Sequence, residues 1–176
     1  MRIRYFGNNK ATAYAYGADF RISGEFIPGA ESWFSLGLLS TREDLEGDDK
    51  GSLRRPSDQH VTFAVFFQDH LPNNPTVRVY LNLLFGSGLP FSPPGNSDLR
   101  GVFIGETYNR VDMGFSKIIE FKKNLKSLWI GLEILNLLGV DNTISYTWIK
   151  DLNNQQIAVP NSLSQRYFNL KAQIKF

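Results

Sequence analysis

The sequence predicts an all-β chain, an antiparallel meander of about seven strands, from three observations. Apolar and polar residues alternate with a period of two through seven separate segments. Turn-forming Gly, Pro, Asn and Asp punctuate them. The connections alternate between short and long from one end of the chain to the other. The last segment is the clearest. Arg166 to Phe176 (RYFNLKAQIKF) sets Phe168, Leu170, Ala172, Ile174 and Phe176 against Asn169, Lys171, Gln173 and Lys175. Its apolar face has the length of a tilted bilayer-crossing strand, roughly nine to eleven residues. A soluble edge strand ending so exposed would pair with other molecules.

The other strands follow in order. Tyr14 to Ile27 places Tyr14, Tyr16, Ala18, Phe20, Ile22, Gly24 and Phe26 on one side and Asp19, Arg21, Ser23 and Glu25 on the other. Pro28, Gly29 and Ala30 form a tight turn, because proline presets φ and glycine accepts positive φ. The second strand is Ser32 to Thr41, and the polar stretch Arg42 to Gln59 separates it from the third, His60 to Asp69. A short turn, His70 to Pro75, leads to the fourth strand, Thr76 to Phe85, with Arg78, Tyr80 and Asn82 opposite its apolar stripe. A glycine- and proline-rich loop, Gly86 to Asn109, precedes the fifth, Arg110 to Phe121. The short turn Lys122 to Lys126 leads to the sixth, Ser127 to Leu138, where Gly131 and Glu133 oppose Leu128, Ile130, Leu132 and Ile134. The connection Gly139 to Gln165 holds an extra hairpin, Thr143 to Lys150 with Gln156 to Val159.

Short periplasmic turns and long extracellular loops are the pattern of an outer-membrane barrel, and nothing imposes that order on a soluble meander. With the C-terminus in the periplasm, all three long loops face outward. Asp19, Arg21, Glu25, Arg78, Glu133, Lys171 and Lys175 then face the lumen. The alternative would be costly, since Arg or Lys at the lipid midplane costs about 2–4 kcal/mol.

Composition narrows the function classes. The 176 residues suffice for one domain, and the net charge of +2 comes from mixed signs without a basic stripe, which argues against a nucleic-acid partner. There is no cysteine, so disulfides, thiolate metal sites and cysteine nucleophiles are excluded. No apolar run reaches the roughly 18 residues of a spanning helix, and Met1 to Lys10 lacks the apolar stretch of a secretion signal. The chain carries 14 Phe, 7 Tyr and 3 Trp, yet its mean hydropathy is slightly polar, as strands with one lipid and one wet face would average. Tyr14, Tyr16, Trp33, Trp148 and Phe176 fall near strand ends or in the hairpin, where interfacial aromatics belong. Trp129 falls on the lumen side, and Trp148 lies far enough into an outer loop to contact a substrate.

Tyr16 to Pro28 (YGADFRISGEFIP), Arg110 to Ser116 (RVDMGFS), Glu133 to Leu138 (EILNLL) and the terminal RYFNLKAQIKF resemble the carboxy-terminal part of a TonB-dependent outer-membrane receptor. The closest variant is the Bacteroidetes type with a carboxypeptidase-regulatory-like amino-terminal domain, and the resemblance covers nearly the whole chain. It implies the C-terminal third of a 22-stranded transmembrane barrel. The family's plug and TonB-contacting box have no counterpart here, so the chain reads as a fragment. Seven strands cannot enclose an aqueous lumen alone and leave two open edges. The resemblance further implies that Phe168, Leu170, Ala172, Ile174 and Phe176 form the signal read by the barrel assembly machinery. Its implied partners are outer-membrane lipid, the TonB complex through the absent amino-terminal parts, and a surface lipoprotein. The location is the outer membrane of a Gram-negative cell. The function is uptake of a siderophore, glycan, peptide or similar nutrient.

Sharper chemistry finds little support in the residues. The acidic run Glu43, Asp44, Glu46, Asp48, Asp49 lacks the ordered spacing of a calcium loop and reads as a solvated loop. Gly86, Gly88 and Gly95 precede no Gly-Lys-Ser/Thr, so no phosphate loop is expected. His60 and His70 sit at opposite ends of one strand, about 30 Å apart at about 3.3 Å per residue, too far to share a metal. No G-x-S-x-G is present, and Asp19 and Glu25 lie beyond the reach of a glycosidase pair. The expectation is a non-enzyme with no catalytic residues, metal or cofactor. The alternative is a soluble all-β surface module binding glycan or protein, and a small autonomous barrel is disfavoured by the odd strand number.

Overall fold

A computed structural model describes residues 7–71, 73–96, 99–121, 126–163 and 165–176. Its strands are β1 (Ala11–Ile27), β2 (Ala30–Leu45), β3 (Leu53–Arg54), β4 (Val61–Leu71), β5 (Asn74–Gly86), β6 (Pro90–Phe91), β7 (Phe103–Ile104), β8 (Tyr108–Glu120), β9 (Ser127–Leu135), β10 (Thr143–Lys150), β11 (Gln156–Ser162) and β12 (Tyr167–Lys175). The chain is all-β, with no α-helix among the described residues. One antiparallel sheet runs β1-β2-β4-β5-β8-β9-β12, and β3 pairs with the far end of β2. The hairpins β6-β7 and β10-β11 form two small separate sheets.

The expected meander is present, with longer β1 and β2 than the alternation suggests. Pro28 and Gly29 are the central residues of the β1–β2 turn, and Gly29 takes a φ of 76°, as the second central position of a type II turn requires. A register shift between Glu25 and Ile27 absorbs the misfit of that turn with the strand twist. β9 stops at Leu135, short of the expected Leu138, because Asn136 turns left-handed at φ 53° and Gly139 follows at φ 69°. Most of the turn Lys122 to Lys126 lies outside the described residues, as does Pro72 in the turn between β4 and β5.

Register assigns the faces. Phe20 pairs with Leu36, Leu36 with Phe63, Phe63 with Phe85, Phe115 with Leu132 and Leu132 with Leu170, so one apolar face runs unbroken across the sheet. Phe20, Phe34 and Phe63 meet edge-on along it, at centroid distances of 6.1 and 5.3 Å. This face is open: Phe20 is 53% exposed, Leu132 44%, Phe168 62% and Leu170 73%. Apart from glycines, Pro90 and Pro93, the buried residues among those described are Ala30 and six polar ones, Ser32, Thr41, Asp58, Asp112, Asn136 and Asn142. A water-soluble domain has the reverse distribution.

Candidate functional site

The second face carries the polar chemistry. Asp19, Arg21 and Glu25 of β1 share it through pairs with Gly37, Ser35 and Glu31. Arg78 (paired with His70 and Ser116), Glu133 (with Gly114 and Asn169), Lys171 (with Gly131) and Lys175 (with Ser127) lie on it too. All seven expected lumen residues therefore occupy one face.

Side chains link into a row across this face. The Arg21 guanidinium carbon sits 5.1 Å from the Trp33 ring centroid, Trp33 stacks on Phe66 at 6.1 Å, and Phe66 meets Tyr80 at 5.7 Å. The Tyr80 side chain hydrogen-bonds Glu133. Glu133 in turn accepts from Asn169 Nδ2 at 2.8 Å and Lys171 Nζ at 2.8 Å. The row reaches from β1 to β12. Trp33 thus belongs to the polar face rather than to an interfacial girdle. Tyr14 and Tyr16 stack at 6.1 Å on the opposite, apolar face. Because Lys171 is half exposed, its ion pair with Glu133 contributes at most about 1 kcal/mol.

Gly114 makes this row possible, since a Cβ there would collide with the Tyr80 ring. Gly114→Val should displace Tyr80, break its bond to Glu133 and cost about 1–3 kcal/mol. Tyr80→Phe should cost about 1 kcal/mol. Denaturant midpoints of the two variants check the order, and a Gly114→Val midpoint equal to that of the wild type would refute the packing argument.

The long connections fold back at one end of the sheet. Asp58 is the knot of the first. Its Oδ1 accepts from the Thr41 amide at 2.7 Å, its Oδ2 from Arg54 Nε at 2.6 Å, and His60 Nε2 lies 2.9 Å from Oδ2. Arg54 Nη2 also donates to the Asp58 carbonyl at 2.9 Å. Burial pushes the Asp58 carboxyl up, but the Thr41 amide, the Arg54 guanidinium and His60 outweigh it and hold it below the usual aspartate value. The second and third connections meet through aromatic rings. Phe91 of β6 stacks on Tyr146 of β10 at 4.1 Å, with Phe103 at 5.5 Å and Trp148 at 6.2 Å. Thus Trp148 packs against the second long connection.

Below these loops, where β8, β9 and β12 end, lies a cavity of about 150 Å³. Tyr108, Arg110, Asn136, Asn142, Gln165 and Tyr167 supply its polar wall. Arg110 Nε donates to both oxygens of Asp112, at 2.8 and 3.0 Å, and the Tyr108 side chain also hydrogen-bonds the guanidinium. Asp112 Oδ1 also accepts the Asn136 amide at 2.8 Å. The R-V-D sequence foreshadows this pair, because residues two apart on a strand share a face. The buried Asn136 and Asn142, and the Asp58 knot, have no such signal in the chain's periodicity. They sit in loops whose contacts come from distant segments.

The expected assembly residues Phe168, Leu170, Ala172 and Ile174 pair with Ile134, Leu132, Ile130 and Leu128 on the apolar face, and Phe176 follows β12 with 78% exposure. Fold and site thus define an open antiparallel meander with one bare apolar face and a polar face linked side chain to side chain. Compared with known proteins, the chain matches no family model, no curated protein and no solved structure.

Proposed function

We propose that this sheet is a segment of the wall of an outer-membrane β-barrel, the carboxy-terminal part of a TonB-dependent receptor that takes up a nutrient. The observation that carries the reading is the inverted burial: a continuous, exposed apolar face over seven strands, with polar residues inside. Lipid is the solvent that makes such a face favourable. On β8 the apolar face is bounded by Asn109 and Lys117, eight steps apart, or about 26 Å along the strand at about 3.3 Å per residue. The apolar band of such barrels is about 25 Å tall. In this reading Asp19, Arg21, Glu25, Arg78, Glu133, Lys171 and Lys175 line the lumen, and the ends with long connections face outward.

Strand direction supports the same reading. In a seven-strand antiparallel path β1 and β12 run the same way, so they cannot pair with each other antiparallel. An odd number of further strands would close the sheet into an even-numbered barrel, and about fifteen would complete one of about 22. The rest of the receptor would supply plug and TonB contact, and the terminal strand would offer its edge and alternate side chains to the assembly machinery.

Heat modifiability tests the wall. Extracted from its producing cells in mild detergent, the protein should enter the membrane fraction and migrate faster on a gel unheated than boiled. Recovery in the soluble fraction, with identical migration in both lanes, would replace this reading with a soluble binding module.

A further inference from the structure

Two donors that the fold leaves unused meet in the cavity at the ends of β8, β9 and β12. The first belongs to Asn142, which is 2% exposed. Its amide has a fixed orientation, because Oδ1 accepts the Asn109 backbone N–H at 2.7 Å and Nδ2 is therefore the other end. That Nδ2 donates to none of the described residues, and Asn142 forms part of the cavity wall. Because Asn109 precedes Arg110 on β8, the same bond holds Asn142 beside the arginine. The second donor set is the Arg110 guanidinium. Asp112 occupies only its Nε, with both oxygens. Apart from the contact with Tyr108, the Nη donors meet no acceptor among the described residues. A buried amide donor without a partner costs about 1–3 kcal/mol, so this wall is completed by an acceptor.

Charge and shape restrict that acceptor. Tyr108, Arg110, Asn142, Gln165 and Tyr167 can all donate, and no carboxylate lines the cavity. Asp112 stands behind the arginine, 5% exposed, and its charge is already met by Arg110 Nε and the Asn136 amide. It nevertheless balances one positive charge, so a dianion would meet surplus negative charge where a monoanion would not. A carboxylate fits best, since its two oxygens accept from a guanidinium and an amide together. Leu135, Leu163 and the two tyrosine rings make the remaining wall apolar. The volume of about 150 Å³ is that of a cavity known to admit benzene.

We propose that this cavity binds a small monocarboxylate with an apolar body, its carboxylate bridging the Arg110 Nη donors and Asn142 Nδ2 and its body lying against Leu135, Leu163 and Tyr167. The site stands on the residues of the cavity and not on the lipid reading. Heat modifiability and carboxylate binding can therefore fail separately.

The test uses the whole protein purified from its producing cells in a non-ionic detergent, so that no charged head group competes. Saturation-transfer NMR at neutral pH follows benzoate and butyrate, with benzamide as the uncharged counterpart of benzoate and inorganic phosphate as the competing tetrahedral anion. Small ligands gain limited free energy per atom, so saturable, millimolar binding of benzoate is expected, with benzamide at least tenfold weaker. Gln165 is exposed and lies outside the strands, so Gln165→Glu should leave the sheet intact by circular dichroism. The added negative charge on the wall should weaken benzoate about tenfold and leave benzamide unchanged. No saturable transfer to either carboxylate would overturn the proposal and leave water as the partner of Asn142. Equal affinity for benzamide would overturn the charge argument, and stronger displacement of benzoate by phosphate than by butyrate would overturn the choice of a monocarboxylate. Unchanged benzoate affinity in Gln165→Glu would overturn the placement.

Discussion

Leu132→Arg should cost the membrane-inserted protein about 2–4 kcal/mol. Leu132 lies near the middle of β9, between Phe115 of β8 and Leu170 of β12 on the apolar face, and is 44% exposed. Its exposure gives the substitution discriminating power. If water covered this face, an arginine at a half-exposed position would change stability by no more than about 0.5 kcal/mol and would improve solubility. If lipid covers it, the guanidinium must leave water or deform the bilayer. Gln173→Arg is the matched control, two residues along β12 from Lys171 on the same polar face and paired with Trp129. Denaturant unfolding in lipid vesicles should show a large shift for Leu132→Arg and almost none for Gln173→Arg. Equal midpoints for the two would contradict a lipid-facing surface.

Asp58→Ala should release the first long connection. The substitution removes the acceptor of the Thr41 amide and the one oxygen, Oδ2, that Arg54 and His60 share, and leaves Arg54 beside a smaller, uncharged side chain. Hydrogen bonds to charged groups contribute about 1.5–3 kcal/mol each, and their sum here is reduced because Arg54 and His60 retain access to water. A local loss of about 2–3 kcal/mol is expected, confined to the loop. Limited proteolysis should cut between Gly47 and Asp58 at least tenfold faster in the variant, while the sheet remains protected. The pH dependence has a definite sign. Because the folded Asp58 pKa is depressed, its stabilisation is complete above the unfolded aspartate value of about 3.9 and fades as pH falls through the lower folded value. The loop should therefore stay protected from neutral pH down to about 4 and open only in stronger acid. Protection already lost at pH 6 would contradict an Asp58-held loop.

The sheet was legible because its information is local. A period of two fixes which residues of one strand share a face, and Pro28 with Gly29 fixes the turn, so the strand bodies of β1, β2, β4, β5, β8, β9 and β12 follow from short windows. The grouping of Asp19, Arg21, Glu25, Arg78, Glu133, Lys171 and Lys175 needed only that rule. What escaped depends on inter-strand register. Arg21, Trp33, Phe66, Tyr80 and Glu133 line up across five strands, and no single segment indicates which residue of one strand meets which of the next. Trp33 shows the difficulty most clearly: its place near a turn suggested a lipid interface, whereas register sends it to the polar face. The end of β9 escaped for another reason. Leu137 and Leu138 continue the apolar composition, but the left-handed Asn136 has already broken the strand. Asp58, Asn136 and Asn142 are buried polar residues in loops, positions that composition alone assigns to solvent.

The strand path bears on how the molecule forms. Each ladder of the large sheet joins strands that follow one another along the chain, with β6-β7 and β10-β11 closing as hairpins of their own within the long connections. No pairing among the described residues waits for a segment from the far end. Loop-closure entropy rises only slowly with loop length, so the long connections add little to the cost of docking each new strand, and the tight turn at Gly29 adds least. Growth can therefore proceed as a zipper, one hairpin at a time, in either direction along the sheet. β12, nine residues with a free edge, and β1, seventeen residues with another, are the two places where such a zipper can begin or be continued by other strands.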